Sequence, residues 1–112
     1  MCAEKSVSKG KITSLLESTD IIKIVNFLKA MANPTRIRIL LALMERKLCT
    51  NKIAEMLNMS SSAVSHQLRL LLNLDIVRFE RDGKNVYYTL ADEHVRNIIL
   101  MLLEHVAGRC SK

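Results

Sequence analysis

The chain has 112 residues, the length of one domain with little to spare for a second. Hydrophobic residues make up 49% of it but aromatic residues only 4%, so the apolar mass is aliphatic, which favours packed helices over a β-sandwich and excludes a disordered chain. The longest apolar runs, 39–44 and 98–103, are too short to span a membrane, and the formal net charge of +6 is compatible with a polyanionic partner.

The chain divides into three segments by pattern. Residues 1–18 mix Ser, Lys and Gly without clear periodicity, so we expect an N-terminal arm or weak helix there. The periodic part, 19–108, is expected to form one folded domain, and residues 109–112 a short C-terminal tail.

Two amphipathic helices are predicted at the start of this domain. The first covers 21–31, with Asp20 as its N-cap and apolar residues every three or four positions. The second covers 34–45, because Asn33 is a favourable N-cap and a proline at the first helical position loses no useful donor.

The next block has the pattern of a helix-turn-helix. Thr50 is expected to cap a short helix over 51–57. Asn58 begins a tight connection to Ser60, which can cap a longer helix over 61–72. A short capped helix, a tight turn and a longer helix are typical of helix-turn-helix proteins.

The outward face of the longer helix is polar and contains no acidic residue. Short hydroxyl side chains lie near its start and longer polar groups follow, so this helix can enter a DNA major groove without repelling phosphates. The side chains that we expect to contact the groove or the bases are Ser61, Ser62, Ser65, His66 and Arg69.

After Asp75 the hydrophobic period changes from 3.6 to 2, which indicates strands. The alternating segments 77–80 and 86–90 flank Asp82-Gly83, a strong signal for a hairpin turn. The predicted fold is therefore mainly α with a small β-hairpin, a winged helix-turn-helix whose hairpin tip reaches phosphates or the minor groove. The expected contacts at the tip are Arg81, Lys84 and Asn85.

The last predicted helix, 92–107, has an apolar stripe wider than a small core can cover. The first helix, 21–31, is also rich in apolar residues. We therefore expect the chain to form a homodimer through its first and last helices.

Two of the three histidines lie on this last helix. His94 and His105 are 11 residues apart, so they point the same way but are separated by about 16 Å along the axis. Because Zn–N bonds are only about 2.0–2.1 Å long, the two can share an ion only across an antiparallel copy of the helix, with Asp92 beside His94. One carboxylate and two imidazoles suit Zn²⁺ or another borderline divalent ion; the alternative is a surface pair, or a hydrogen-bonded pair at a dimer seam.

Several motifs taken together have the pattern of a known family. They are SAVSHQLR over 62–69, Asn73-Leu74, Gly83, Val86-Tyr87-Tyr88 and Asp92-Glu93-His94, with Asn33-Pro34-Thr35-Arg36 and Leu48-Cys49 upstream. With these motifs, residues 31–105 resemble the ArsR/SmtB family of metal-responsive repressors, most closely its SmtB-like zinc sensors. The resemblance implies a homodimer that binds its operator when metal-free and loses DNA affinity when metal binds between the C-terminal helices.

The resemblance also implies which residues bind the metal. Asp92, His94 and His105 match three of the four ligand positions in the family's C-terminal-helix site. The fourth position falls at Gly108, which has no side chain, so the fourth ligand is left open between water and the side chains of Glu104 and Cys110.

A second metal site of the family uses thiolates at the start of the helix-turn-helix. Cys49 matches its first cysteine, but the second cysteine position is Asn51 and the carboxylate position is Lys52, which would repel a cation. Cys2 could reach this place from the arm. We nevertheless predict that Cys49 is a small buried hydrophobic residue and that Cys110 is an exposed terminal thiol.

The combined prediction is a homodimeric repressor of double-stranded inverted-repeat operator DNA. Its inducer is expected to be a divalent metal ion, most favourably Zn, with Co, Ni or Cd as further candidates. The cysteines are odd in number and scattered along the chain, which favours a reduced, cytoplasmic setting. No membrane, no small organic substrate and no enzymatic activity are expected, since the sequence has no Gly-rich phosphate loop and no nucleophile–base set. Two alternatives stay open: a winged-helix repressor that senses thiol oxidation or soft metals through cysteine, and a metal-independent module that binds nucleic acid or protein.

Overall fold

Six helices and one β-hairpin follow one another over residues 9–108, the part of the chain that this computed structural model describes. Their order is α1 (Lys9–Leu15), α2 (Asp20–Met31), α3 (Pro34–Ala42), α4 (Thr50–Leu57), α5 (Ser61–Asn73), β1 (Val77–Asp82), β2 (Asn85–Leu90) and α6 (Glu93–Val106). Helices α4 and α5 form the helix-turn-helix, and the hairpin β1–β2 follows as the wing, so the predicted winged helix-turn-helix is confirmed. The predicted tail, Cys2 and Cys110 lie outside the described residues.

The N-caps of α3 and α5 are those that the sequence predicts. The side chain of Asn33 accepts a hydrogen bond from the backbone N–H of Arg36 at 3.0 Å, and the hydroxyl of Ser60 accepts one from Ala63 at 3.1 Å. Each cap satisfies a donor that has no partner within its own helix. Asn58, at the C-cap of α4, adopts the left-handed conformation (φ 58°) that turns the chain toward α5.

The predicted cap at Asp20 is wrong. Asp20 lies within the first turn of α2, because Thr19 before it already has right-handed helical angles (φ −70°, ψ −8°). The hydroxyl of Ser18 instead accepts a hydrogen bond from the backbone N–H of Asp20 at 3.1 Å. The short helix α1 and the turn that follows it thus bring the chain into α2 without an extended capping residue.

The predicted cap at Thr50 is also wrong, since Thr50 is the first residue of α4 and the extended residue before it is Cys49. The reason is a contact distant in sequence. Leu48 pairs with Tyr88 of β2, with N···O distances of 3.1 and 2.8 Å, so the backbone stays extended up to Cys49.

The wing is a two-stranded antiparallel sheet whose turn is shifted by one residue from the prediction. Val77 pairs with Leu90 at its base and Asp82 with Asn85 at its tip. Because Asp82 belongs to the strand, the two-residue turn is Gly83-Lys84, and Gly83 provides the positive φ of +65° that such a turn needs at its first position.

The core lies where the helix-turn-helix packs against α3, the base of the wing and one side of α6. Helix α3 ends at Ala42, earlier than predicted, because its last turn tightens and the N–H of Met44 donates to Leu41 at 3.1 Å. The largest fully buried side chains are Ile39, Leu40, Leu43, Ile53, Val64, Leu68, Leu71, Ile76 and Val77.

Helices α2 and α6 leave most of their apolar side chains in solvent. Each has only two buried residues, Ala30 and Met31 in α2 and Val95 and Ile99 in α6. We call the rest the exposed apolar faces; their members are Ile21, Ile22, Ile24, Val25 and Leu28 of α2 and Ile98, Leu100, Met101, Leu102 and Val106 of α6. Over the described range, no helix combines the length and hydropathy needed to cross a membrane.

Candidate nucleic-acid interface and metal centre

Helix α5 presents a polar face to solvent. Its apolar side chains Val64, Leu68 and Leu71 are completely buried, which fixes the rotation of the helix. Of the predicted groove contacts, Ser61, Ser62, His66 and Arg69 are exposed and Ser65 is half-buried. The structure thus brings the five predicted side chains to the outward side of α5.

One of these side chains already has a partner within the protein. The hydroxyl of Ser61 donates to Oδ1 of Asn51 at 2.5 Å, which joins the first turns of α4 and α5. Asn51 is itself exposed and was not among the predicted contacts. The two helix starts therefore form one polar surface, and Ser61 helps to hold its shape.

The position of α5 is also fixed by Arg36, which the sequence indicated only as part of a family motif and not by its contacts. Nε of Arg36 donates to the main-chain oxygen of Ala30 at 2.6 Å, and Nη1 donates to Oε1 of Gln67 at 2.9 Å. Arg36 thereby joins the start of α3 to the end of α2 and to the middle of α5. The partners are 6 and 31 residues away in sequence, so no local pattern points to them.

The tip of the wing carries the three predicted contact residues, of which Arg81 and Lys84 are basic. Arg81, Lys84 and Asn85 are all exposed, and the guanidinium carbon of Arg81 lies 6.0 Å from the ring centroid of Phe79. Asp82, also exposed, offsets part of this positive charge.

Midway along the wing, Nζ of Lys47 lies 2.7 Å from the carboxylate of Glu80. This hydrogen bond raises the pKa of Lys47 above its ordinary value. Glu80 is thus paired with a cation of the protein itself, which leaves Asp82 as the acidic residue of β1 that offsets the charge of the tip.

Two of the predicted metal ligands meet at the start of α6. Oδ1 of Asp92 accepts a hydrogen bond from the N–H of Val95 at 3.1 Å, and Oδ2 lies 3.6 Å from Nδ1 of His94. The bond from Val95 lowers the pKa of the Asp92 carboxyl, and the charge of nearby His94 lowers it further. The His94 side chain is 91% exposed, so the pair opens to solvent.

The third predicted ligand stays apart from this pair. His105 lies near the other end of α6, exposed, and the described residues contain no group of three or more His, Cys, Asp or Glu arranged to hold a metal. Gly108, at the family's fourth position, lies beyond the C-cap Ala107 with φ +67°. The helix has ended there, so this position offers neither a side chain nor helical placement.

Cys49 is half-buried rather than buried as predicted. It precedes α4 without capping it through its side chain. Lys52, three residues later, lies 3.5 Å from the carboxylate of Glu55. The cation that the sequence places beside the thiol is thus drawn toward Glu55 within the same helix.

Comparison with known proteins identifies a family pattern in the middle of the chain. Residues 33–78, from the start of α3 to the start of β1, match the family described as "Bacterial regulatory protein, arsR family". Among curated proteins, the chain is 42% identical over 84 residues to "Transcriptional repressor SmtB homolog" of Synechocystis, which covers 75% of this chain and 64% of that protein. It is 33% identical over 103 residues to "Cadmium resistance transcriptional regulatory protein CadC homolog" of Staphylococcus aureus, and this alignment covers 88% of this chain and 85% of that protein.

Solved structures share the fold over most of the chain. The solution structure of apo-NmtR, a regulator of Mycobacterium tuberculosis, has a TM-score of 0.72 and 34% identity, covering 86% of this chain and 81% of that one. Reduced HlyU from Vibrio cholerae has a TM-score of 0.70 and 32% identity, and the match covers 83% of this chain and 95% of that one.

Proposed function

This chain belongs to the ArsR family of bacterial regulatory proteins, and we propose that it acts within that family as a metal-responsive repressor of transcription. The observation that carries the proposal is the exposed carboxylate–imidazole pair, Asp92 and His94, at the start of a helix whose apolar face is left uncovered by residues 9–108 of its own protomer. The similarity to proteins named as a transcriptional repressor and as a cadmium-resistance regulator supports the same function.

Operator DNA is the proposed partner of α5 and the wing. Helix α5 contains no acidic residue, so its polar face can approach phosphates without repulsion. We assign groove contacts to Ser62, Ser65, His66 and Arg69, and phosphate or minor-groove contacts to the tip residues Arg81, Lys84 and Asn85. Ser61 has a smaller part in direct contact, because its hydroxyl is held by Asn51.

A second copy of the chain is the proposed cover of the exposed apolar faces. Removing such aliphatic side chains from water stabilises an assembly by about 1.5–3 kcal/mol for each side chain that becomes fully buried. A two-fold dimer would also present two α5 helices, which can read half-sites separated by about 34 Å, one turn of DNA.

The same dimer would complete the metal site. Asp92 and His94 of one protomer would bind the ion together with His105 of the partner subunit, and symmetry would make two such sites. The donors fit the ion: a carboxylate with a lowered pKa stays deprotonated at neutral pH, and imidazole nitrogens suit Zn²⁺ and similar borderline ions. Gly108 leaves the fourth position to water or another donor. Bound at this seam, the ion would act as the inducer and favour a dimer geometry that fits the operator less well.

The test is a DNA-binding titration. A duplex is first selected from a pool with a randomised centre, using metal-free protein, and its affinity is then measured with and without Zn²⁺, Co²⁺, Ni²⁺ or Cd²⁺. We expect at least one ion to weaken binding about tenfold or more, which corresponds to a coupling of about 1.4 kcal/mol. The double variant His94→Ala/His105→Ala should keep its metal-free affinity for the duplex and lose the response. A double variant that still releases DNA on metal addition would refute the assignment of the site.

Thiol sensing is the second candidate function. The free, half-buried Cys49 before α4 and the similarity to HlyU, solved in a form described as reduced, favour it. It predicts that a mild oxidant such as diamide releases the duplex from the wild-type protein and not from Cys49→Ser. Release by metal with no effect of diamide would exclude it.

A further inference from the structure

An arginine of α6 is bonded to the end of α3. Arg96 lies two residues after His94, and its Nη1 donates a hydrogen bond to the main-chain oxygen of Met44. Met44 lies two residues after Ala42, the last residue of α3, and directly after the C-cap Leu43. The side chain of Arg96 is 35% exposed, and its Nε is 3.8 Å from Glu93, beyond hydrogen-bond distance. The directional contact of this guanidinium is therefore the bond to α3.

Apolar side chains also pack between α3 and α6. Ile37 and Leu41 of α3 and Ile99 and Leu103 of α6 line an open cavity of about 260 Å³ between the two helices. Apolar contacts are not directional, whereas a hydrogen bond to one carbonyl is. Arg96 thus adds a directional contact to the apolar packing between α6 and the α3 segment.

The opposite end of α3 holds the DNA-binding helix through Arg36 and its bond to Gln67. Helix α3 has nine residues and spans about 13 Å, short enough to move as a rigid body. One arginine joins its C-terminal end to α6, and another joins its N-terminal end to α5. The two hydrogen bonds, one at each end of α3, thus connect α6, which carries His94, to α5, which carries His66.

We propose that Arg96 is a positioning residue through which a change at the start of α6 reaches α5, by way of α3 and the bond between Arg36 and Gln67. The proposal rests on the proposed function, because it concerns how metal binding at Asp92 and His94 lowers DNA affinity. Arg96 touches neither the metal nor DNA in this scheme. Its contribution is to make α3 follow the first turns of α6.

The test uses Arg96→Met, which keeps most of the side-chain length and removes the donors. Three quantities are measured on the full chain: the affinity for Zn²⁺, the affinity of the metal-free protein for the selected duplex, and the ratio of duplex affinities without and with Zn²⁺. We expect the first two to stay within about twofold of wild type and the ratio to fall about threefold or more. A purely structural role would instead change the first two.

Two further variants make the result specific. Arg38→Met removes the same charge from an exposed position of α3 and should leave the ratio unchanged. Arg96→Lys keeps a hydrogen-bond donor at this position. Its ratio of duplex affinities without and with Zn²⁺ should stay at half of the wild-type ratio or more. This expectation can be checked even where Arg96→Met is too unstable to measure.

Hydrogen exchange gives a reading that needs no DNA. In the wild type, Zn²⁺ should change amide exchange in α5, and in Arg96→Met this change should be lost while the change at the start of α6 remains. Suppose that the wild type responds to Zn²⁺ and that Arg96→Met keeps both the wild-type ratio of duplex affinities and the change of amide exchange in α5. The role of Arg96 is then refuted, and the proposed function stands. If the wild type itself shows no response to any of the four ions, the proposed function fails and this inference fails with it.

Discussion

The two carboxylate oxygens of Asp92 have separate tasks. Oδ1 caps α6 through the N–H of Val95, whereas Oδ2 faces His94. A neutral amide can do the first task, since asparagine is as good an N-cap as aspartate. An amide is a poorer ligand for the proposed metal beside His94, because the site then lacks an anionic oxygen. One substitution can therefore separate the stability of the helix from the proposed binding of metal.

For Asp92→Asn we expect a free energy of unfolding within about 0.5 kcal/mol of wild type and an affinity for Zn²⁺ lowered about tenfold or more. For Asp92→Ala we expect the same loss of affinity together with a destabilisation of about 1 kcal/mol, because the cap is lost as well. Urea unfolding and isothermal titration measure the two quantities on the same samples.

Asn33→Ala is the matched control for this pair of variants. It removes the N-cap of α3, where Asn33 accepts a hydrogen bond from Arg36, and should cost about 1 kcal/mol with no loss of zinc affinity. A wild-type zinc affinity in Asp92→Asn would show that this carboxylate is only a cap.

Among the elements, α5 depends on its buried side for a fixed orientation. Leu68 is completely buried and Leu70, two residues later, is 36% exposed. We expect Leu68→Ala to lower the free energy of unfolding by about 2–5 kcal/mol and Leu70→Ala by clearly less, because only the first leaves a cavity in the core. Equal losses in thermal or urea unfolding would contradict the orientation of α5 on which the DNA-binding face depends.

The wing makes a prediction about salt. Lys84, exposed in the turn, is proposed to contact a phosphate, so Lys84→Ala should weaken binding similarly for all duplex sequences and reduce the slope of log affinity against log salt by about 1. Lys23→Ala, a change of the same charge on α2, should leave the slope unchanged. A slope that falls equally in both variants would point to a general effect of net charge.

Elements whose signals are local could be predicted from the sequence. The 3.6 period of Val64, Leu68 and Leu71 predicted the buried side of α5, and the caps Asn33 and Ser60 act within their own helices. The change to a period of 2 after Asp75 likewise predicted the hairpin, although not the residues of its turn.

Features that depend on distant contacts could not be predicted. Thr50 fails as a cap because Leu48 pairs with Tyr88, 40 residues later, and the bond from Arg96 to Met44 spans 52 residues. The proposed metal ligands are an intermediate case. The capping geometry brings Asp92 to His94 within one turn, but His105 stays at the other end of the helix and is proposed to join such a pair only in a second protomer.

For the whole molecule, the exposed apolar faces predict that the protein is a dimer. Leu102 of α6 is 46% exposed and lies among these residues, so Leu102→Glu should place a charge at the dimer seam and shift the protein toward monomers. Met56→Glu introduces the same charge at a 51% exposed apolar residue of α4 and should not change the assembly. Sedimentation velocity at micromolar concentration distinguishes the two, and a dimeric Leu102→Glu variant would place the seam elsewhere.

The pairing of Leu48 with Tyr88 has a consequence for how the protein adapts to different operators. It joins the middle of the wing to the residue before Cys49 and hence to α4, and the contact between Lys47 and Glu80 joins the same two segments a second time. In one protomer these contacts hold α4 and the wing in a fixed relative position, so in the proposed complex α5 and the tip keep a constant distance from each other. In the proposed dimer, operators that differ in shape are then accommodated by rotation of one protomer relative to the other. We therefore expect sequence changes in the spacer between half-sites to be tolerated, whereas an inserted base pair within a half-site should not be.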